Sequence, residues 1–272
     1  MPTSHGPLAV LRAEASAQRA TRGAVLLVPG FTGSKEDFAP LLGPISASGR
    51  EVVAMDQRGQ HESHGPEHPG PYTMKELSGD VLRVADHLGL EHPHLVGHSF
   101  GGLVARAAVL SEPKRFRSLT LMDSGPSALG GPRAERLALL SPVLDAVGLQ
   151  GVYEALEALA PNDPHYVPPE PDLKEFLRRR FLAQSETGLR EMGRQLREEP
   201  DRVAELAEMG IPVCVLHGAR DDAWAPSLQA DMARRLAARY EVVPDAFHSP
   251  AVENPRVTFA ALQSFWRDTE AG

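Results

Sequence analysis

A serine lies at the centre of residues 97–102, which read Gly-His-Ser-Phe-Gly-Gly. An apolar run precedes these residues at 93–96, and a helix-forming run follows them at 103–110. In this context of strand, Gly-x-Ser-x-Gly and helix, the pattern forms a tight turn that exposes a nucleophilic serine. A plain strand-to-helix turn built from small residues is the alternative, and the unused polar side chain at the apex disfavours it. The spacing therefore predicts Ser99 as a nucleophile, held in a strained backbone conformation at the C-terminal edge of a sheet.

A serine nucleophile needs a base within hydrogen-bond reach, and the base needs an acid that orients it. In this kind of turn the chain order is serine, acid, histidine. Of the 11 histidines, His248 follows the last apolar run, in a loop bracketed by Pro244 and Pro250. A loop at the C-terminal end of a strand can carry an imidazole over Ser99. His248 is therefore predicted as the general base rather than as a surface-loop histidine.

The residues leave the identity of the acid open. Asp221 and Asp222 both follow the apolar run at 212–216, and Asp123 follows the run at 118–122. One of the adjacent pair is expected to accept the His248 N–H. The other is expected to be solvated or to cap the helix that begins near residue 226, and Asp123 is a third candidate for the acid.

Two backbone N–H groups are needed to bind the negatively charged oxygen of a tetrahedral intermediate. Phe100 N–H lies at the start of the predicted helix, where backbone donors lack helical partners. The second donor is expected in the loop at 29–34, where glycines let the backbone approach a ligand. Phe31 N–H is the predicted donor, and the Phe31 ring is expected to wall the acyl pocket, although this loop alone would be read as a plain turn.

Apolar runs bounded by Gly and Pro recur along the chain, with helical segments between them. Continuous apolar strands are typical of a mostly parallel sheet that is covered by helices on both faces. The predicted strands are 24–28, 51–55, 95–96, 118–122, 212–216 and 240–243, with an antiparallel edge strand near 8–12. The predicted helices are roughly 34–48, 73–89, 101–111, 226–239 and 254–268.

About 90 residues separate the strand at 118–122 from that at 212–216, far more than a crossover needs. The interval is rich in proline around 161–171 and has helical stretches near 133–147, 151–159, 172–184, 186–198 and 200–209. It is predicted to be a helical lid over the strand ends. This divides the chain into a core of 1–125 and 210–272 and a lid of 126–209. A long crossover with no gating role is the alternative.

Composition excludes several classes of protein. The chain has 272 residues, 42% of them hydrophobic and 24% charged, with a net charge of −8 and no strongly basic segment, so nucleic acid is not an expected partner. It has no apolar run of about 18 residues and no signal-peptide pattern in its first ten residues, so no membrane partner is expected either. The single cysteine, Cys214, excludes an internal disulfide and is expected to be an inert buried thiol. Together these features predict a cytoplasmic enzyme that acts on a small-molecule substrate, and they leave its oligomeric state open.

Metal and cofactor patterns are weak. His61 and His64 lie three residues apart in a Pro/Gly loop rather than on a helix, so this segment is interpreted as solvated. Neither Gly-x-Gly-x-x-Gly nor a P-loop occurs. The prediction is no metal and no cofactor.

In combination the motifs resemble those of the α/β-hydrolase superfamily, over residues 24–266. Residues 29–33 look like its oxyanion loop, 56–59 like its D-x-R-G turn, 97–102 like its nucleophile motif, 218–221 like its G-x-x-D acid motif, and 247–248 like its terminal histidine. The chain departs from many relatives at Pro29, where they have histidine before the glycine, and at Gln60, where they have Gly-His-Gly after the arginine.

The resemblance implies an α/β-hydrolase fold with a helical lid, a Ser99-His248-Asp221 triad and no cofactor. The spacing of the acid motif favours Asp221. Serine at position 99 argues against haloalkane dehalogenases and epoxide hydrolases, which resemble this pattern with aspartate there. The leading expectation is a serine hydrolase of a small or medium apolar ester that works through an acyl-enzyme. A C–C bond hydrolase, a thioesterase, a lactonase and a catalytically silent small-molecule receptor are the alternatives.

Overall fold

The structure is a computed structural model that describes residues 6–16, 23–162 and 166–271. The signal-peptide prediction for residues 1–5 and the part of the proline-rich stretch that contains Pro164 lie outside the described residues.

The described residues form a seven-stranded sheet in the order β1-β3-β2-β4-β5-β6-β7. Strand β1 pairs antiparallel with β3, and all the other neighbours are parallel. This confirms the predicted mostly parallel sheet with an antiparallel edge strand. The strands are β1 Val10–Ala13, β2 Ala24–Val28, β3 Glu51–Met55, β4 His94–His98, β5 Ser118–Met122, β6 Val213–Gly218 and β7 Arg239–Val243.

Alternation along the buried strands sends side chains into two separate cores. In β2, Leu26 and Val28 pack on one face of the sheet, while Val25 and Leu27 pack on the other. The first face is covered by α2 Met74–His87, α3 Phe100–Ser111 and α8 Pro226–Arg235, and the second by α1 Ala39–Ala47 and α10 Pro255–Ala271. Because both faces are covered, the central strands are apolar throughout, which is why their sequence shows no polar alternation.

The remaining helices are α4 Gly131–Leu159, α5 Pro171–Leu182, α6 Glu186–Glu198, α7 Val203–Glu208 and the short α9 Pro250–Glu253. The predicted helices at 133–147 and 151–159 form one element that is broken at Gly148, where φ is 64°. The predicted helix at 226–239 ends four residues early, at Arg235, because Ala237 takes a positive φ and the chain then enters β7.

Helices α4–α7 form an insertion between β5 and β6, and the segment before α4 is hydrogen-bonded to the end of α6. Ala128 N–H donates to Glu199 O at 2.7 Å, and Leu129 N–H donates to Leu196 O at 2.8 Å. The buried Arg106 of α3 donates to Pro126 O on the entering segment and to the Glu199 carboxylate on the leaving one. The insertion therefore starts and ends at one place on the helix that follows Ser99. Its action as a lid stays a prediction.

No helix in the three described ranges is long and apolar enough to cross a bilayer. Cys214 is buried in β6, and burial raises the pKa of its thiol to about 12, as expected of an inert cysteine.

A buried histidine at the N-terminal end of the central strand β4 contacts the last helix, α10. His94 begins β4, and its Nδ1 lies 2.7 Å from Ser118 Oγ while its Nε2 lies 3.2 Å from Glu270 Oε1 on α10. Its ring stacks on Trp266. Burial lowers the pKa of His94 to about 4, so the ring is neutral in the folded protein at neutral pH.

This histidine makes the fold less stable in mild acid. Between its unfolded pKa of about 6.5 and its folded pKa, the unfolded chain binds a proton that the native ring cannot bind, so stability falls as the pH falls. We expect His94 to lower the free energy of unfolding by about 1 kcal/mol between pH 7.5 and 5.5. Urea titrations at the two pH values measure this difference. It should shrink in His94→Gln and persist in the exposed-site control His68→Gln, whereas an unchanged difference in His94→Gln would contradict the assignment.

Candidate active site

Ser99 lies in the tight turn between β4 and α3, with φ 55° and ψ −122°. This is the strained conformation that the glycine spacing predicts. A Cβ atom on Gly97 would lie 2.3 Å from Gly101 O, and one on Gly101 would lie 2.4 Å from Pro29 O. Only glycine fits at either position, and the close approach leaves the Ser99 side chain at the C-terminal edge of the sheet.

The structure brings together the three residues predicted as nucleophile, base and acid. Ser99 Oγ lies 2.9 Å from His248 Nε2, and His248 Nδ1 lies 2.7 Å from Asp221 Oδ1. Strands β4, β6 and β7 deliver them, because the loops that follow parallel strands meet at one edge of the sheet. A carboxylate only accepts, so Nδ1 carries the proton and Nε2 is free to accept from the Ser99 hydroxyl.

Asp221, not Asp222, is the acid that reaches His248. The Asp221 carboxylate is fully buried and also accepts Ala223 N–H at 2.9 Å and Gln229 Nε2–H at 2.7 Å. Asp222 is exposed and pairs with Arg133 on α4. Gln229, for which no sequence motif predicts a role, is completely buried on α8 and also donates to Trp224 O.

The third candidate, Asp123, is also at the site but makes no hydrogen bond to His248. It follows β5, has a φ of 46° and is completely buried. Its Oδ1 accepts Gly218 N–H at 2.9 Å, whereas its Oδ2 has no partner among the described residues. Burial, followed by the negative charge of Asp221, raises the pKa of Asp123 well above its ordinary value.

His98 contacts the backbone of the base. Its Nε2 lies 2.6 Å from His248 O, and since a carbonyl only accepts, this nitrogen donates. Burial is the largest cause that lowers the pKa of His98 to about 4, so the ring stays neutral. No sequence motif predicts this role, because nothing local in the sequence shows that residue 98 faces a loop 150 positions away.

Two buried glutamines hold the loop at 29–34. Gln57 Nε2–H donates to Pro29 O at 2.8 Å, and Gln60 Nε2–H donates to Gly30 O at 3.1 Å. The Gly30 carbonyl and the Phe31 N–H belong to one trans peptide and point in opposite directions. Fixing that carbonyl therefore fixes the direction of the Phe31 N–H. Gln60, one of the two positions at which the chain departs from many relatives, is thus one of the two side chains that hold this loop.

The same loop lies directly against the serine. A Cβ atom on Gly30 would lie 3.1 Å from Ser99 Cβ. In the described residues, neither Phe31 N–H nor Phe100 N–H donates to a protein acceptor. Both predicted donors are thus available beside Ser99.

The Phe31 ring lies between this loop and the insertion. It lines a small cavity together with side chains from two insertion helices, Leu137 and Leu144 of α4 and Leu189, Arg190, Gly193 and Arg197 of α6. The predicted acyl-pocket role of Phe31 stays a prediction.

A second cluster of charged groups surrounds Lys35. The Lys35 ammonium lies 2.9 Å from Glu36, 3.0 Å from Asp56 and 2.8 Å from Glu62. Burial alone lowers the pKa of Lys35, but hydrogen bonds with the three carboxylates outweigh it and raise that pKa above its ordinary value. The expectation of a solvated loop at 61–64 is wrong in part, because Ser63 is completely buried and donates to Asp56 O.

Two groups of three potential metal ligands occur in the described residues, Glu36 with His61 and Glu62, and Asp123 with Asp221 and His248. In the first, both carboxylates already pair with the Lys35 ammonium. In the second, His248 Nδ1 is hydrogen-bonded to Asp221. The absence of a metal stays a prediction.

Comparison with known proteins relates the chain to one family of folds. Residues 23–143 match the family model described as alpha/beta hydrolase fold. A putative carbamate hydrolase RutD from Variovorax paradoxus is 38% identical over 135 residues, which are 48% of this chain and 49% of that protein, so the match spans about half of that relative. A putative 2-succinyl-6-hydroxy-2,4-cyclohexadiene-1-carboxylate synthase from Bacillus subtilis is 27% identical over 248 residues, 89% of each chain.

Solved structures extend the similarity over nearly the whole chain. A thermophilic esterase from Thermogutta terrifontis superimposes with a TM-score of 0.78 at 26% identity, covering 97% of this chain and 94% of that one. The enol-lactonase from Burkholderia xenovorans superimposes with a TM-score of 0.79 at 22% identity, covering 96% of both chains, and shows the shared fold.

Proposed function

Because the chain belongs to the α/β-hydrolase superfamily, we propose that it is a serine hydrolase that cleaves a small or medium apolar ester through an acyl-enzyme. One observation carries the proposal. The hydrogen bonds run without interruption from Ser99 Oγ through the His248 ring to the buried Asp221 carboxylate. The names of the carbamate hydrolase, the esterase and the enol-lactonase support hydrolysis as the class of reaction, whereas the relative from Bacillus subtilis is named a synthase.

In the proposed mechanism, Ser99 Oγ attacks the ester carbonyl carbon while its proton passes to His248 Nε2. Asp221 stabilises the resulting imidazolium through Nδ1–H. The N–H groups of Phe31 and Phe100 bind the negative oxygen of the tetrahedral intermediate. Its collapse breaks the bond to the alcohol, which leaves with the proton from His248. Water, activated by the same histidine, then releases the acid and restores Ser99.

The function is tested by a substrate panel on the purified protein. It contains p-nitrophenyl esters of graded acyl length, acyl-thioesters, lactones, carbamates and a vinylogous 1,5-diketone. The expected result is turnover of apolar esters that is lost in Ser99→Ala. Preference for the diketone without esterase activity would replace this proposal with a C–C hydrolase, and preference for thioesters, lactones or carbamates would change the bond. Tight ligand binding without turnover would indicate a receptor.

We also propose that residues 126–209 act as a lid whose inner face selects the acyl group. The contact of Phe31 with α4 and α6 supports this, because it connects the oxyanion loop to the insertion. Arg180 of α5 pairs with Asp37 beside the same loop, and Ser185 N–H donates to Gly59 O. The insertion therefore packs on the loops that surround Ser99.

Gly193→Val tests this lid. A Cβ atom on Gly193 would lie 3.4 Å from Leu137 Cδ1 and 3.5 Å from Phe31 Cζ, so one carbon fits and the branches of valine fill the space between them. We expect the ratio of kcat/KM for p-nitrophenyl hexanoate over acetate to fall about tenfold. The control Gly43→Val lies on α1 with open space around it and should leave the ratio unchanged. An unchanged acyl-length profile in Gly193→Val would mean that the insertion is a structural crossover.

Gln60 is tested as a positioning residue for the oxyanion donor. Gln60→Leu removes the hydrogen bond to Gly30 O, so the Phe31 N–H is no longer held toward the intermediate. We expect kcat to fall by about 10²-fold with little change in KM, because the interaction is used only in the transition state. Gln60→His, which keeps a donor, should recover most of the loss. The control is Gln184→Leu, since Gln184 is also buried but donates to Arg180 O. A rise in KM at constant kcat would contradict this role.

A further inference from the structure

Asp123 is a buried carboxyl group that the mechanism above does not use. One oxygen of Asp123, one oxygen of Asp221 and one ring nitrogen of His248 all lie within 4.8 Å of one another. A hydrogen bond between Asp123 and His248 would therefore require the two groups to move closer by at most about 2 Å. Asp123 and Asp221 follow β5 and β6, which are adjacent parallel strands, so the two carboxyl groups approach the same imidazole from neighbouring strand ends.

The unpaired oxygen of Asp123 is the unusual feature of this arrangement. Buried polar atoms are hydrogen-bonded in the great majority of cases, and an orphan therefore requires an explanation. Oδ1 is held by Gly218 N–H, while Oδ2 has no partner within the described ranges although the side chain is completely buried. Nothing in the proposed resting triad requires an acid at this position, because Asp221 already satisfies His248 Nδ1.

The charges around Asp123 explain why it does not compete with Asp221. Asp221 and Glu253 both disfavour a second negative charge there, and the partly exposed Arg133, which is paired with Asp222, opposes them only weakly. Two carboxyl groups this close share one negative charge. Asp221 holds that charge because its oxygens accept three donors, from His248, Ala223 and Gln229, whereas Asp123 accepts one.

We infer that Asp123 is a reserve acid, which stays neutral while Asp221 is charged and orients the His248 imidazole when Asp221 loses its charge. The inference rests on the function proposed above, since it assigns Asp123 a task through the same histidine. Once the neighbouring charge is removed, the Asp123 carboxylate gains the His248 Nδ1–H as a partner. Proton transfer still takes place at His248 Nε2, and only the orienting acid changes.

A double-mutant cycle in kcat tests the inference. Complete loss of the orienting carboxylate costs about 10⁴-fold in the best-studied serine hydrolases. We expect Asp221→Asn to cost about 10²-fold, and Asp123→Asn in that background to cost about another 10²-fold. The factor for Asp123→Asn should be at least about thirtyfold larger in the Asp221→Asn background than in the native one. Asp222→Asn, added to Asp221→Asn as a control, should cost nothing further.

The pH profile separates a reserve acid from a structural role. In Asp221→Asn, turnover depends on ionising a buried acid, so the acid limb of the kcat profile should move upward by about one pH unit. Adding Asp123→Asn should abolish this upward shift and leave only the acid limb that comes from His248. Asp123→Asn replaces a neutral carboxyl group with an amide of the same shape, so it should not disturb the packing. The thermal midpoint of each variant checks that it is folded. Asp221→Ala is the second variant in case Asp221→Asn does not fold.

Equal factors for Asp123→Asn in both backgrounds, or a double variant no worse than Asp221→Asn, would overturn the reserve role. In either case the wild-type enzyme would still show turnover that depends on Ser99. Failure of the proposed function is recognised separately, because the wild-type protein would then hydrolyse nothing in the panel.

Discussion

Replacing Ser99 with alanine should abolish covalent catalysis. Ser99 Oγ is the only atom of its turn that hydrogen-bonds to His248 Nε2 in the described structure, and alanine leaves that base without a nucleophile. We expect kcat to fall by at least about 10⁴-fold, with the best-studied case reaching about 10⁶. The variant should fold, because a methyl side chain fits wherever the Ser99 Cβ fits.

Active-site labelling gives an independent measurement of the same prediction. A fluorophosphonate should add to one serine, and peptide mass spectrometry should locate it in the peptide that contains residue 99. The control is Ser249→Ala, which removes the serine next to His248 in the sequence. In this variant Ser99 should be labelled at the native rate. Modification of another serine, or undiminished turnover by Ser99→Ala, would exclude the proposed nucleophile.

Replacing His248 with alanine should have an effect of similar size. The ring both accepts the Ser99 proton and passes it to the leaving alcohol, so its removal stops both half-reactions. We expect a loss in kcat of about 10⁴ to 10⁶, and a matching loss in the rate of fluorophosphonate labelling, because Ser99 is no longer activated.

Chemical rescue distinguishes a missing base from a disturbed fold. His248→Ala leaves a space next to Ser99 and Asp221, and free imidazole should restore part of the turnover in proportion to its concentration. The exposed His87→Gln serves as a control for general histidine replacement. If imidazole has no effect while His248→Ala retains the native thermal midpoint, proton transfer through this position is not limiting.

The elements that carry the site could be predicted because their signals are local. Continuous apolar runs predict the central strands, which the structure confirms, and the glycines around Ser99 predict the strained turn, whose φ is 55°. The identity of the acid was open because Asp221 and Asp222 are adjacent in the sequence. The spacing of the acid motif favours Asp221, and packing gives the physical reason: Gln229 and Ala223 N–H hold Asp221 inside, whereas Asp222 faces Arg133 at the surface.

Supporting contacts between distant segments could not be predicted in the same way. Gln60 holds Gly30, and His98 holds the backbone of His248, across separations of 30 and 150 residues. Their side chains carry no local pattern that names the partner. The burial of Ser63 has the same origin, because Ser63 Oγ bonds to Asp56 O and to Ala9 N–H of the segment before β1, neither of which the loop composition reveals.

The place where the insertion joins the core, at residues 126–129 and 196–199, has a consequence for how this chain can change over evolutionary time. The two chain segments there are hydrogen-bonded to each other at residues 128 and 199, and Arg106 of α3 donates a hydrogen bond to each of them. Ends that are already adjacent can be joined by a short linker at little cost in loop-closure entropy. We therefore expect that residues 130–195 can be replaced by another helical segment joined at the same two points. If the insertion is the lid proposed above, a different segment would present new walls to the same serine.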